Sequence, residues 1–192
     1  PPKLGGELGE ISVMFADLSG FTAMSGKVGP EELMAATNVY LGVIAEAVEE
    51  TGGYVDKFIG DAVMAVWGAP VADPSHAVSA VRAAQMAIAR VDTMHAAAVA
   101  RGETGFSVKI GVHSGLATMG NVGWARRFNY TAIGETVNIA ARLESVPGDY
   151  ACRLVVGDTT AAAAADAFLF CELDWLRVKG KKDPIAIHEP LA

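Results

Sequence analysis

The chain has 192 residues, of which 52% are hydrophobic and 19% charged, with a mean hydropathy of +0.31. That length and apolar content fit one folded domain and exclude a disordered chain. Fifteen Lys and Arg against 22 Asp and Glu leave a net charge of −7, which excludes a nucleic-acid binder that relies on many phosphate contacts.

Residues 1–10 read as a linker, and 11–192 as a single domain. Pro1 in place of a methionine suggests a piece of a longer protein, whose anchor or sensor would lie upstream. Residues 11–17 form a short apolar run that predicts a core strand ending in Asp17, with Gly20 closing a turn behind it. Over 31–50, Leu33, Ala36, Tyr40, Val43, Ile44, Ala47 and Val48 recur at helical spacing until Gly52-Gly53, predicting an amphipathic helix. Residues 54–59 and 62–67 are strand-like runs separated only by Gly60-Asp61, a hairpin signal. Ser75 is placed to cap a second, Ala-rich helix running to about residue 100, and a strand follows over 106–113.

Strand, helix, strand, strand, helix, strand predicts an α+β fold with a ferredoxin-like βαββαβ core and helices packed on one face of an antiparallel sheet. The C-terminal extension reads as a Gly-rich, strand-poor segment over 115–128 and a helix over 135–145. A strand at 153–156, a helical turn near Asp158 and short strands at 175–178 and 185–188 complete it. No apolar run approaches the roughly 18 residues of a membrane span. Cys152 and Cys171 are too few for a disulfide framework, so a cytoplasmic setting is expected.

Asp17 and Asp61 end apolar strand runs, and a ferredoxin-like sheet sets the end of its first strand beside the hairpin of its second and third. Two converging carboxylates suit a two-metal site completed by phosphate oxygens; singly, each is an ordinary turn residue. Ser19-Gly20-Phe21-Thr22 opens a helix whose free N–H groups can cradle an anion or merely start the helix. Asn138 and Arg142, four apart on one helix face, offer a neutral donor-acceptor and a guanidinium fork, or a solvated stripe. Lys57, beside Phe58 and Ile59 in a strand, is either an edge residue or a ligand contact. His76, His95, His113 and His188 have no metal-like spacing and read as structural or surface residues. No nucleophile elbow, Walker loop or dinucleotide fingerprint is present.

The segments 15–22 (FADLSGFT), 57–61 (KFIGD), 130–134 (YTAIG) and 137–142 (VNIAAR) together resemble the class III nucleotidyl cyclase catalytic domain, in the family's order and spacing, over nearly the whole chain. The resemblance implies cyclisation of a nucleoside triphosphate to its 3′,5′-cyclic monophosphate and pyrophosphate, with sites shared between two chains of a homodimer. It implies two Mg²⁺ or Mn²⁺ ions held by Asp17, Asp61 and the Leu18 carbonyl, and a triphosphate held by the Phe21 and Thr22 amides. From the other chain it draws Lys57 and Thr131 for the base, Asn138 for the ribose and Arg142 for the α-phosphate in the transition state. Lys179 matches a lysine that meets the terminal phosphates, and Lys109 stands where many relatives carry arginine, without its planar fork.

Lys57 is a donor only, so it suits adenine N1 and not the N1–H of guanine, and ATP is the expected substrate. Thr131 replaces the aspartate commonest in adenylyl cyclases; its hydroxyl can accept from the 6-amino group but can also donate. The same threonine resembles a bicarbonate-responsive subgroup, which makes bicarbonate an expected activator. A catalytically silent cyclase-like dimerisation domain and a guanylyl cyclase are the alternatives. A diguanylate cyclase or polymerase palm does not account for Lys57, Asn138 and Arg142 together. Neither nucleic acid nor membrane contact is expected of this region.

Overall fold

The computed structural model describes residues 5–124, 127–178 and 183–191. In chain order it contains β1 (Gly5–Ser19), α1 (Phe21–Ser25), α2 (Pro30–Glu50), β2 (Tyr54–Ile59), β3 (Ala62–Trp67) and α3 (His76–Ala100). These are followed by β4 (Ser107–Trp124), β5 (Arg127–Ile133), α4 (Glu135–Glu144), β6 (Leu154–Gly157), α5 (Asp158–Ala163), β7 (Phe170–Leu176) and β8 (Ile185–Pro190). The strands form one sheet in the order β2-β3-β1-β4-β6-β8-β7, with β5 paired to the far half of β4. The segment β2-β3-β1-β4 is antiparallel throughout and is the expected ferredoxin-like core. The extension departs from the expected antiparallel sheet at one seam: β6 lies parallel to β4, because α4 carries the chain back before it re-enters the sheet.

Pro30 at the first helical position and Glu31 and Glu32 in the first turn start α2, suiting its fixed φ and its positive N-terminal dipole. Ser75 holds the N-cap position of α3, but its side chain makes no cap bond. The Asp73 carboxylate instead accepts from the Ser75 N–H at 2.8 Å. Alanines at 77, 80, 83, 84 and 87 let α3 lie close on the sheet.

Side-chain alternation divides β1 between two faces. Met14, Ala16 and Leu18 pack with α2 and α3, whereas Ile11 and Val13 pack with Met64, Val66, Met119 and Ala140 on the side covered by α4. Helices therefore cover both faces, not one as expected, because α4 carries its own apolar stripe of Ile139, Ala140 and Leu143. Asp17, Lys109 and Gly111 share the α4 face, and at Gly111 a Cβ would run into the backbone of Leu143 and Glu144. Glycine is thus what lets the end of α4 rest on β4.

The described parts of the expected linker (5–10) and of the expected strand-poor segment (115–124 and 127–128) are strands. Residues 5–10 extend β1, pairing with 116–121 of β4, and β4 runs on to Trp124 before returning as β5. Their glycines give no apolar alternation to read, yet backbone pairing needs none. At Gly120 a Cβ would collide with the Gly5 carbonyl, so the smallest residue is required there. Strand β7 starts five residues before the expected 175. Among the described residues no helix is long and apolar enough to cross a membrane.

Candidate active site

Asp17 and Asp61 meet at one end of the sheet. Asp17 pairs in register with Ala62, and the Leu18 N–H donates to the Asp61 carbonyl at 3.3 Å across the β2–β3 turn. Burial, then the neighbouring Asp61 charge, pushes the Asp17 carboxyl above its usual range, with Lys109 opposing. Lys109 is the cross-strand partner of Asp17. A Cβ at Gly148 would come within 3.0 Å of its Nζ, so the ammonium lies against the turn over residues 147–149.

Glu144, which the sequence reading missed, joins this group. Its carboxyl is raised by burial and by Asp17 and Asp61, and lowered by Lys109. Asp17 and Glu144 thus share one lysine, with Asp61 close by. Two hard, closely spaced oxygen donors with excess negative charge fit a divalent cation whose remaining positions are filled by a ligand's oxygens. Among the described residues no group of three or more His, Cys, Asp or Glu side chains is arranged to hold a metal alone. The Leu18 side chain is buried, leaving only its backbone to serve this site. α1 begins directly behind Gly20; Phe21 stacks on Phe106 at 6.3 Å, and of Thr22 only the backbone is described. Lys179 lies outside the described residues.

A second group forms where β2 meets β5. The β2–β3 register shifts between Val55 and Lys57, and such a bulge lets Asp56 and Lys57, adjacent in sequence, reach the same neighbour. Lys57 Nζ donates to Thr131 Oγ1 at 3.0 Å. Thr131 Oγ1 donates in turn to Asp56 Oδ2 at 2.5 Å. Thr131 is 5% exposed, whereas the Asp56 side chain is wholly buried and that of Lys57 is 39% exposed. Asp56 too was missed. Its signal was two charged residues side by side in a strand, a break in alternation.

Asn138 and Arg142 lie on the exposed side of α4, opposite Ile139 and Leu143. Among the described residues neither side chain has a hydrogen-bond or ion-pair partner. The chain thus brings together Asp17, Asp61 and Lys109, and separately Lys57 and Thr131, and turns Asn138 and Arg142 to solvent. His76 and His113 are buried, His76 beside Ser12 at 2.8 Å, and the two cysteines are unpaired.

Residues 6–188 match the adenylate and guanylate cyclase catalytic domain. "Adenylate cyclase 1" of Rhizobium meliloti is 36% identical over 94% of this chain and 27% of its own length. The adenylate cyclase of Anabaena cylindrica is 33% identical over 93% and 36%. The chain therefore spans about a third or less of these relatives. Among solved structures, the adenylyl cyclase CyaB of P. aeruginosa superposes with a TM-score of 0.89 at 29% identity, covering 98% of this chain and 97% of that one. The guanylyl cyclase Cya2 does so at 0.87 and 29%, covering 97% and 94%. Sequence and fold agree that this chain belongs to the family of class III adenylate and guanylate cyclase catalytic domains.

Proposed function

We propose that the protein is an adenylyl cyclase that converts ATP to 3′,5′-cyclic AMP and pyrophosphate at sites shared by two copies of the chain. The observation that carries the substrate choice is the Lys57 Nζ–Thr131 Oγ1 pair at 3.0 Å, which sets a donor-only ammonium beside a hydroxyl. Adenine N1 accepts from Lys57, whereas guanine N1–H finds no acceptor in the Lys57 ammonium. The Asp17 and Asp61 carboxylates, with the Leu18 carbonyl, would hold two Mg²⁺ or Mn²⁺ ions. Such ions lower the pKa of the ribose 3′-hydroxyl for attack on the α-phosphorus and offset charge on the departing pyrophosphate.

The remaining work falls to the chain's own groups. The Phe21 and Thr22 amides orient the triphosphate, with Lys109 and Lys179 at its phosphates. Asn138 orients the ribose, and Arg142 meets negative charge that grows in the transition state. Asn138 and Arg142 face solvent, without partners among the described residues of their own chain; this supports their serving a partner's site. Exposed Trp124, Phe128, Ile133, Phe58 and Ile59 supply apolar surface for that pairing. Bicarbonate activation rests on Thr131 alone, and a flat dose response at constant pH would remove it.

The test is cyclic nucleotide formation by the purified chain with Mg²⁺ or Mn²⁺ and either ATP or GTP. Cyclic AMP rising faster than linearly with protein concentration is the expected result. GTP consumed as fast as ATP would overturn the base assignment. Asp17→Ala and Arg142→Ala chains, each inactive, should recover activity on mixing, because one site of the mixed dimer keeps both intact halves.

A further inference from the structure

We propose that Asp56 sets the purine preference by holding the Thr131 hydroxyl proton, so that Thr131 presents only a lone pair to the base. The inference rests on the adenylyl reading above and adds to it a positioning residue.

A threonine hydroxyl has one proton to give and two lone pairs to accept with. In this structure the proton goes to Asp56 Oδ2 at 2.5 Å, and one lone pair takes the Lys57 ammonium at 3.0 Å. What remains is a single lone pair, which matches a 6-amino donor and opposes a 6-oxo acceptor. Thr131, ambiguous in the sequence, thereby becomes an acceptor.

Energetics favour this state over the alternative. The Asp56 side chain is wholly buried, and a hydroxyl donating to a carboxylate is roughly twice as strong a bond as one between neutral groups. The other donor to Oδ2 is the Ala132 N–H at a long 3.4 Å. Oδ1 has no hydrogen bond and faces Lys57 Nζ at 3.4 Å. Turning the Thr131 proton toward a guanine O6 would trade a charge-assisted bond for a neutral one and strip a buried carboxylate of its best donor. The β2 bulge at 55–57 makes the arrangement possible, since it lets Asp56 and Lys57 converge on the same hydroxyl.

The lock is tested with two analogues of ATP of nearly equal bulk that differ only in the atom on C6. N6-methyl-ATP offers a donor there, and 6-methoxypurine riboside triphosphate an acceptor; both keep N1 free for Lys57. The wild-type chain should favour the N6-methyl analogue in kcat/KM by roughly tenfold or more, the cost of facing two lone pairs in a buried site. Asp56→Ala should bring that ratio close to one, and Thr131→Val should do the same. Adding Asp56→Ala to Thr131→Val should change it no further, since Asp56 acts only through Thr131. Equal use of the two analogues by the wild type overturns the lock even if Asp56→Ala does not fold. A ratio unchanged by Asp56→Ala but lowered by Thr131→Val overturns the role of Asp56. No cyclisation of ATP itself would instead strike the adenylyl reading on which the lock rests.

Discussion

At the Asp17 end of the sheet carboxylates face carboxylates, while at the Lys57 end each charge has an opposite charge or a hydrogen bond beside it. Asp17 and Glu144 share Lys109; burial and Asp61 raise Asp17, and burial, Asp17 and Asp61 raise Glu144. Asp56, Lys57 and Thr131 instead close a chain of contacts among themselves. The first region is left short of positive charge, which a divalent cation and its ligand can supply. The second is preorganised: its donors and acceptors are already set, so the proposed binding of a base there would need little reorganisation. Cation and phosphate binding tolerates, and even uses, repulsion in the free protein, whereas telling one purine from another demands fixed hydrogen positions.

Substitutions at the two ends should therefore move activity and stability in different ways. The largest effect is expected for Asp61→Ala, which removes one of two paired carboxylates and should lower cyclic nucleotide formation by about a thousandfold or more. Its melting temperature should hold or rise, because Asp17 loses a repelling neighbour. A fall of several degrees would show that the acidic end is not strained, and would break the contrast.

Thr131→Val should behave oppositely, costing about 1–3 kcal/mol in denaturant unfolding, because buried Asp56 loses its hydroxyl donor. A neutral result would mean that Asp56 finds another partner, and the base end would no longer count as a closed set.

The smallest effect is expected at a third, wholly internal polar group, where Ser12 meets His76 at 2.8 Å and Ser114 at 2.6 Å, and Ser114 meets Thr160 at 2.9 Å. Burial depresses the His76 pKa below its ordinary 6.5, with Glu10 and Asp73 partly opposing. The unfolded chain then takes up a proton near pH 6.5 that the folded chain refuses. Stability should be undiminished above that pH and should decline as pH falls below it. Melts of the wild type and His76→Gln between about pH 7.5 and 5.5 should show a steeper decline for the wild type.

The core and the positions of Asp17 and Asp61 were largely legible in the sequence. The apolar run over 11–17 and the Gly60-Asp61 hairpin fix where Asp17 and Asp61 fall, because alternation and turn chemistry are local. The β1 extension and the β4–β5 hairpin were not legible. Gly5, Gly6, Gly120 and Gly123 carry no side-chain pattern; the β1 extension exists through pairing with β4 residues more than a hundred positions away, and that pairing in turn supports the local β4–β5 hairpin. Glu144 was hidden for a similar reason. Its helix position was visible, but not that a glycine at 111 lets the helix end settle beside Asp17.

The sequence by itself determined which groups are available: two strand-end aspartates, a lysine unable to accept from a purine, an Asn and an Arg on one helix face, and a threonine with an undecided proton. Only the tertiary structure decided where that proton goes. Donor direction depends on the neighbour a hydroxyl meets, and the neighbour of Thr131 is Asp56, 75 positions away along the chain.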